Sequence, residues 1–491
     1  DGSYFFASVE ETAAGYAYAF DCPAGTCTVK PEYFSTTVWD GAVDISWYDA
    51  SQTVFSIDTP AKLAGLAALV NGQVDAGTPD YRIKGDRSEL VSTRVDDYLL
   101  VGAGGGSQYG TAYVGDAAPD FSDKTVYLTA DLDMGGSSNW TPIGGLYPMD
   151  RDNTERVIVA YFNGTLDGQG HRITNLFCDR YAEKGYAYSQ GVGLIGHMGD
   201  LYDGEAAPET APAVRNLSVS GSIYGRRMVG GIVGRTGSIP TGIYLENCAN
   251  HASVKNTDSK GVGGIVGAGW SEGAIVNCYN TGSVTTVYAC PAGGICGSNG
   301  GLDIYNCYNA GTIDSSGSQR GRAIGGHNNG SYTVSDCYYL EGCDDDPASN
   351  GWYSGTALSC VVSVTAMPKA DMRSQKLVDA LNCNGAAYAA VQGSYPVLAW
   401  EAERSPAAHT VRITQPEGGT IAADAGETVA FGTVLHLSNT PDIGWAFRTY
   451  TLDGRTLTGP YATVTADAAV SGVFSRMTAG ALYIENAPAF S

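Results

Sequence analysis

Carboxylates are the first side chains in this sequence that could carry acid–base chemistry. Asp131 and Asp133 alternate along a predicted strand, which would place both side chains on one face about 7 Å apart. That separation is close to the spacing of the paired carboxylates in glycoside hydrolysis. The alternative, which we favour, is that both residues belong to a turn or a strand edge. In the repeated region described below, Glu272 and Asp303 are the acidic residues expected to be most exposed, and they are the candidate catalytic residues.

Arginine, histidine and aromatic side chains form a second candidate set. His197 and His327 each directly follow a recurring glycine, and Arg235 holds the same position one unit after His197. Aromatic rings beside arginine and histidine along a long flat face are suited to holding extended sugar chains. The alternative is a solvated loop edge with no ligand. The candidate glycan-binding residues are Arg226, Arg227, Trp270, Tyr288, Arg320, Arg322 and His327.

No motif in the sequence specifies a reaction. It contains no His-Glu-x-x-His and no Cys/His cluster with zinc spacing. The glycine run at residues 102–106 lacks the Gly-Lys-Ser/Thr ending of a phosphate-binding loop, so we expect an ordinary loop there. We therefore expect no metal ion and no cofactor, and the sequence leaves open whether the protein is an enzyme.

The elements that would position the candidate residues repeat at intervals of 29 or 30 residues. Cys248, Cys278, Cys307 and Cys337 mark the interval. A glycine-bounded apolar word accompanies them, and it reads Gly231-Ile232-Val233-Gly234, Gly264-Ile265-Val266-Gly267 and Gly294-Ile295-Cys296-Gly297. Each unit holds three short apolar segments separated by Gly, Asn and Ser. None of these segments is long enough for a helix, so the sequence predicts an all-β fold.

Short strands in such units can bury apolar side chains only when successive units stack. Stacking pairs equivalent strands in parallel about 4.8 Å apart, so that identical side chains form ladders. We expect the four cysteines to form an inward ladder of reduced thiols, because stacked thiols fit disulfide geometry poorly. Cys22 and Cys27 are the expected disulfide. Two turn ladders of asparagine, which tolerates left-handed backbone, are expected at Asn247, Asn277 and Asn306 with Asp336, and at Asn250, Asn280 and Asn309.

The glycine-bounded words resemble the GLUG repeat of bacterial surface proteins. Earlier segments are similar in order to the amino-terminal cap and first coils of such proteins, and they include Trp39-Asp40-Gly41, Trp140-Thr141-Pro142-Ile143-Gly144 and Phe162-Asn163-Gly164. The resemblance covers residues 37–400. It implies a right-handed parallel β-helix of three-strand coils, each about 30 residues long. A short amphipathic helix predicted over residues 60–71 would cap its first coil. Residues 409–475 resemble the internalin-type B-repeat, a small β domain used as a stalk.

These observations predict six regions along the chain. They are an N-terminal extension (residues 1–36), an N-terminal cap with an insertion at 73–120 (37–123), a GLUG-type β-helix (124–345), a C-terminal cap (346–402), an internalin B-repeat-like domain (409–475) and a tail (476–491).

Composition limits the partners of the protein. The 491 residues hold 28 basic and 51 acidic side chains, a net charge of −23, which argues against binding nucleic acid or an anionic membrane surface. No apolar run approaches the length of a membrane span, and no signal peptide opens the sequence, so we expect one to have been removed from a secreted or cell-surface protein. Residues 217–337 hold seven basic and six acidic residues. This region could therefore still accept a locally anionic sugar.

Three functions remain open at this stage. The first is an adhesin or carbohydrate-binding protein, expected to be monomeric, whose partner is a polysaccharide or host glycan. The second is a glycoside hydrolase or polysaccharide lyase, which would need two carboxylates or a base with a charge-neutralising partner around a cleft. The third is a structural scaffold or stalk without any site.

Overall fold

The computed structural model describes most of the chain. The described residues are 5–12, 15–21, 34–72, 111–114, 119–150, 153–180, 190–200, 206–258, 260–287, 290–315, 321–328, 332–344, 360–402, 408–430, 433–464 and 467–477. The predicted Cys22–Cys27 disulfide, Tyr288, Arg320 and most of the predicted insertion lie outside them. Within the described residues the protein is mainly β, and most of its strand pairings are parallel, which fits a β-helix.

The largest sheet is parallel throughout and runs through the whole repeated region. Side chains that point inward from it form one continuous apolar core with the N-terminal helix. Its strands are Phe34–Val38, Val54–Ile57, Thr125–Leu128, Asp131–Asp133, Thr165–Asp179, Ala213–Gly225, Ile243–Glu246, Ala249–Asn250, Ser253–Asn256, Gly273–Val276, Tyr279–Asn280, Val284–Thr286, Asp303–Tyr305, Tyr308–Asn309, Ile313–Asp314, Tyr332–Leu340 and Cys360–Met367.

Each regular unit contributes five short strands where the sequence predicts three segments. In one unit they are Ile243–Glu246, Ala249–Asn250, Ser253–Asn256, Val262–Gly263 and Val266–Gly269. A corner at Asn247 divides the first predicted segment, and a two-residue turn at Gly264 and Ile265 divides the last. Strands of the next unit pair with these in parallel at an offset of 30 residues. Equivalent side chains therefore stack directly on one another.

Hydrogen bonds run along both predicted asparagine ladders. The Nδ2 atom of Asn277 donates to Oδ1 of Asn247 at 2.9 Å, and that of Asn306 donates to Oδ1 of Asn277 at 2.8 Å. These three residues have φ values of 51° to 57°, which explains why asparagine occupies the corner. In the second ladder, Asn250 and Asn280 each donate to the next asparagine at 2.7 Å. The predicted thiol ladder is fully buried, and all four of its cysteines are free.

Two five-stranded parallel sheets form an arm along one side of the coils. We name them sheet B (Gln190–Val192, Arg227–Gly230, Val262–Gly263, Ala292–Gly293, Gly321–Arg322) and sheet C (Ile195–Met198, Val233–Thr236, Val266–Gly269, Cys296–Asn299, Gly325–Asn328). The sheets touch through backbone, since a methyl group added at Gly267 would lie 2.5 Å from the backbone nitrogen of Val229, and one at Gly326 would lie 2.6 Å from that of Ala292. The closing glycine of each repeated word is thus required by the close packing of these two sheets.

The N-terminal helix, α1, spans Pro60–Val70. Its first turn is capped by Thr59, whose hydroxyl accepts from the backbone N–H of Lys62, and Pro60 supplies a fixed φ at the start. Leu63 and Leu66 are buried in the same core as the first coils. Two smaller sheets also belong to the N-terminal half, the hairpin Phe5–Thr12 with Gly15–Asp21 and the sheet of Thr111–Val114, Asn153–Ala160 and Gly145–Asp150.

A module that we name the cap module (residues 363–402) lies against the side of the coils. Leu377, Leu381 and Trp400 pack on the outward rings of Tyr279 and Tyr308, which stack in parallel 4.9 Å apart. The hydroxyl of Tyr388 donates to the backbone oxygen of Asn306 at 2.9 Å. The helices of the cap module are α2 (Lys369–Met372), α3 (Gln375–Leu381), a 3₁₀ turn (Asn382–Asn384) and α4 (Ala399–Ala402). Its strand pair is Tyr388–Ala389 with Val397–Leu398.

The C-terminal domain (residues 408–477) has its own apolar core, in which Leu435, Leu437 and Val470 are buried. Two sheets enclose this core, and their strands are Thr428–Ala430, Ala408–Ile413, Ala468–Arg476, Trp445–Leu452 and Arg455–Thr456 in one, and Gly419–Ala423, Thr433–Pro441 and Tyr461–Val464 in the other. A second, smaller cluster joins the domain to the coils.

Candidate functional site

Trp270 is the most exposed of the described glycan-binding candidates. It follows the sheet C strand Val266–Gly269, and 37% of its surface is exposed. Its backbone N–H donates to the hydroxyl of Thr236 in the preceding unit at 2.9 Å. In the following unit a methyl group added at Gly300 would lie 3.0 Å from Cε3 of Trp270, so this glycine makes room for the indole. The ring is therefore held from both neighbouring units.

Glu272 lies two residues after Trp270 and is exposed. Between them, the backbone N–H of Ser271 also donates to the Thr236 hydroxyl, at 3.4 Å. The structure therefore places an exposed indole and an exposed carboxylate on one short, anchored segment. A sugar can use both groups, because its C–H face can pack on the indole and its hydroxyls can donate to the carboxylate.

The two predicted arginines at the start of sheet B are partly buried. The guanidinium Nε of Arg227 lies 3.4 Å from the carboxylate of Asp258, and only 11% of the Arg227 side chain is exposed. The backbone oxygen of Arg226 accepts from the N–H of Asp258 at 3.0 Å. These contacts show that both arginines hold the loop before the next strand of sheet B.

Arg322 does not lie on an open face. It is 9% exposed, and its Nη1 donates to the backbone oxygen of Gly321 at 2.7 Å. The sequence places it beside the other arginines, but its strand lies within the close-packed arm, so the guanidinium is turned into the protein. This burial removes Arg322 from the candidate surface.

The position after the closing glycine forms one register on sheet C. His197, Arg235, Ala268, Ser298 and His327 pair in that order. All but His327, which is half-buried, are buried. The ring of His197 packs edge-on against Tyr161 with centroids 4.6 Å apart, and its Nε2 lies 3.5 Å from Asp200. The structure aligns these residues as predicted, but most of the row is covered.

Asp303 begins the strand Asp303–Tyr305 of the largest sheet and is half-buried, less exposed than the sequence predicts. Its carboxylate accepts from the backbone N–H of Thr333 at 2.6 Å. Burial raises the pKa of Asp303, and the hydrogen bond from Thr333 only partly opposes this change. A carboxyl group with a raised pKa stays protonated to higher pH, as a general acid requires.

A cluster that the sequence analysis missed surrounds Tyr244, which pairs with Ala274, itself the partner of Asp303. Burial raises the pKa of the Tyr244 phenol, and the nearby carboxylates of Glu246, Asp424, Asp303 and Glu272 raise it further. The carboxylates of both catalytic candidates, Asp303 and Glu272, therefore raise the pKa of the same phenol. Tyr244 and Tyr305, outward tyrosines on either side of the strand Gly273–Val276, were the sequence signal for a covered face here.

Glu246 and His436 form the polar centre of this cluster. His436, from the C-terminal domain, hydrogen-bonds through Nε2 to the Glu246 carboxylate, and its Nδ1 lies 3.3 Å from Asp424. On the coils, Glu246 is in register with Arg215, and Arg215 with Asp167, whose carboxylate lies 3.1 Å from the arginine Nε. The charges thus alternate in sign from the coils into the domain.

The other candidate acids and thiols have structural partners. Asp131 accepts from the backbone N–H of Arg172 and contacts Nδ1 of His171, both at 3.0 Å, whereas Asp133 accepts from Gly135 and Asn175. The two carboxylates lie in one short strand, Asp131–Asp133, and have separate hydrogen-bond partners. Burial raises the pKa of the Cys278 and Cys307 thiols well above the usual value, which makes them poor nucleophiles.

Neither a metal-binding cluster nor a membrane-spanning helix occurs among the described residues. No group of three or more His, Cys, Asp or Glu side chains there could hold a metal ion. No helix in the same part of the chain is long and apolar enough to cross a membrane.

Comparisons with known proteins give limited similarity. No family model matches the chain. Halomucin of Haloquadratum walsbyi is 31% identical over 124 residues, which is 22% of this chain and 1% of that protein's length. A crystal structure named "putative immunoglobulin A1 protease", from Bacteroides ovatus, is 20% identical and covers 56% of this chain and 86% of its own, with a TM-score of 0.40. At that score we draw no conclusion from the likeness.

Proposed function

We propose that this protein is a secreted or cell-surface glycan-binding protein, built on a right-handed, GLUG-type β-helix. The observation that carries the proposal is the exposed indole of Trp270, anchored between two units beside the exposed Glu272. Residues 217–337 are close to electrically neutral, with seven basic and six acidic side chains. That balance favours a neutral or weakly acidic polysaccharide over a strongly anionic one.

Affinity gel electrophoresis with a panel of neutral and uronate-containing polysaccharides tests this function. We expect at least one polysaccharide to retard the protein and Trp270→Ala to weaken that retardation at least tenfold, since a buried tryptophan contact commonly contributes that much. Trp445→Ala is the matched control, because Trp445 is a half-buried tryptophan of the C-terminal domain whose ring lies under Arg476. Retardation that Trp270→Ala leaves unchanged would contradict the site.

A second candidate function is glycoside hydrolysis at Asp303. It is supported by the raised pKa of this half-buried carboxyl group and by the effect of both Asp303 and Glu272 on the pKa of Tyr244. In this proposal Asp303 is the general acid and Glu272 the second carboxylate. Release of reducing ends from any retained polysaccharide, lost in Asp303→Asn and kept in Trp445→Ala, is the expected result. Absence of reducing ends with every retained polysaccharide would exclude it and leave binding alone.

A further inference from the structure

The C-terminal domain rests on the coils through a contact with an apolar and a polar part. In the apolar part, Tyr305 and Val276 of the coils pack against Tyr461 and Val434 of the domain, and the rings of Tyr305 and Tyr461 lie 4.9 Å apart. We name this contact the seam. At its margin Nδ2 of Asn277 donates to the hydroxyl of Thr463 at 2.8 Å.

The polar part of the seam centres on a histidine held by carboxylates from both sides. Nε2 of His436 contacts Glu246 of the coils, and Nδ1 lies 3.3 Å from Asp424 of its own domain. The side chain of Glu246 is 4% exposed and that of His436 is 22% exposed, so water screens their interaction only in part. An imidazole with both nitrogens directed at carboxylates donates from both only when it is protonated.

We propose that the protonated imidazole of His436 holds the C-terminal domain on the coils, so that loss of this proton releases the domain. Neutral His436 has a single N–H and no charge, so either Glu246 or Asp424 loses its hydrogen-bond donor. Because the Glu246 carboxylate is buried, loss of the His436 charge is costly, since only Arg215 then remains as its cationic neighbour. The apolar part of the seam is then opposed by a buried charge that is only partly compensated.

The surroundings of His436 determine the direction of the pH dependence. Burial by itself would lower the pKa of His436, but the hydrogen bond and charge of Glu246 and the charge of Asp424 outweigh it, with Arg215 opposing them, and the pKa is raised. The rings of Tyr244 and Tyr461 also contact the imidazole. Burial raises the pKa of both phenols, so both stay neutral and add no charge beside His436. The contribution to docking is therefore complete below about pH 6.5, the ordinary value for histidine. It is lost as the pH rises through the raised value.

Small-angle X-ray scattering of the full chain at pH 6 and pH 9 tests the release. A released domain of this size should increase the maximum dimension by about 20–30 Å, roughly its own diameter. We expect that increase at pH 9 in the wild type and at both pH values in His436→Gln. His409→Gln is the matched control, because His409 lies in the same domain, 3.9 Å from the exposed Asp467 and outside the seam.

Two further measurements keep the proposal open to refutation. Glu246→Gln removes the negative charge from the coil side and leaves the domain core intact, so it should also expand the protein at pH 6 even where His436→Gln unfolds the domain. NMR of the imidazole Cε1–H should show that the pKa of His436 is higher than that of an ordinary imidazole. Equal maximum dimensions at pH 6 and pH 9 in the wild type, or compact Glu246→Gln at both, would overturn the proposal.

Discussion

Glycines at the contact between sheets B and C leave no room for a side chain. At Gly267 an added methyl group would lie within 2.6 Å of backbone atoms of both Gly234 and Met228, which cannot move without shifting a strand. At Gly264 it would lie 2.5 Å from Cγ of Asn280, a member of the buried ladder. The glycines of the repeated words therefore pack both within the arm and against the asparagine ladder inside the coils.

Substitution of Gly267 by alanine should destabilise the protein by about 2–4 kcal/mol, because the extra methyl group overpacks a site that has no flexible neighbour. Chemical denaturation followed by circular dichroism measures this loss. Gly426→Ala is the control, since nothing lies within 4 Å of a methyl group there and its φ is not left-handed. An equal loss in both variants would show that the arm is not close-packed.

At the scale of residues, the asparagine ladders were predictable because one side chain satisfies two local requirements. Asn247 and Asn277 need left-handed backbone, and each also bonds to the next unit, so the same residue recurs at the interval of the repeat. The burial of Arg322 was not predictable. Its neighbours in sequence resemble those of an exposed arginine, and only the packing of the arm decides where its guanidinium points.

Stacking of the strands buries the repeated cysteines and protects their thiols from reaction. Burial raises the pKa of Cys248, Cys278 and Cys307 well above the usual value, and the thiol of Cys278 donates to the backbone oxygen of Val276 at 3.3 Å. The same burial raises the pKa of Cys296 to about 12. At pH 8, such a thiol is ionised in about one molecule in ten thousand.

Iodoacetamide at pH 8 should therefore leave the thiol ladder unmodified in the native protein and modify it after unfolding, with rates that differ by at least a hundredfold. Peptide mass spectrometry reads each cysteine separately. Cys383 is the internal control, because it is only half-buried and burial raises its pKa to a lower value, about 11. Modification of Cys278 before Cys383 would contradict the ladder.

At the scale of elements, spacing predicted which strands stack but not what lies on their outer faces. Tyr279 and Tyr308 each follow a ladder cysteine directly, and they point outward. Large aromatic side chains at the same outward position of successive units indicate a covered face, and here the cap module covers them. The sequence could not show that this module lies along the side of the coils. The amphipathic pattern of its helix α3 would be the same whether the module lay beside the coils or over their end.

At the scale of the whole molecule, the cap module and the C-terminal domain meet beside the asparagine corner. Asn277 bonds to Thr463 of the domain, and Asn384 of the cap module bonds to Thr458. Three parts of the chain that are far apart in sequence are thus joined at one ridge. Because such contacts depend on docking rather than on local pattern, the sequence alone could not place the seam or the Glu246–His436 pair.

The seam predicts a coupled thermal transition that one substitution should separate. Tyr305→Ala removes a buried ring that packs on Tyr461 and Gly459. Deleting a buried aromatic side chain costs about 3–5 kcal/mol. Since the ring points outward from the coils, the lost free energy should weaken the docking of the C-terminal domain. In a domain of this size each kcal/mol shifts the midpoint by about 4–8 °C, so calorimetry should show the C-terminal domain unfolding at least 10 °C earlier.

The coils provide a matched control for that measurement. Tyr224 also points outward and is half-buried, but it pairs with Lys255 on another row of the largest sheet, away from the seam. Tyr224→Ala should leave the domain transition in place. If Tyr305→Ala shifts one undivided transition instead, the ring stabilises the coils themselves. The domain would then be a rigid extension of the solenoid, and loss of the His436 proton could not release it alone.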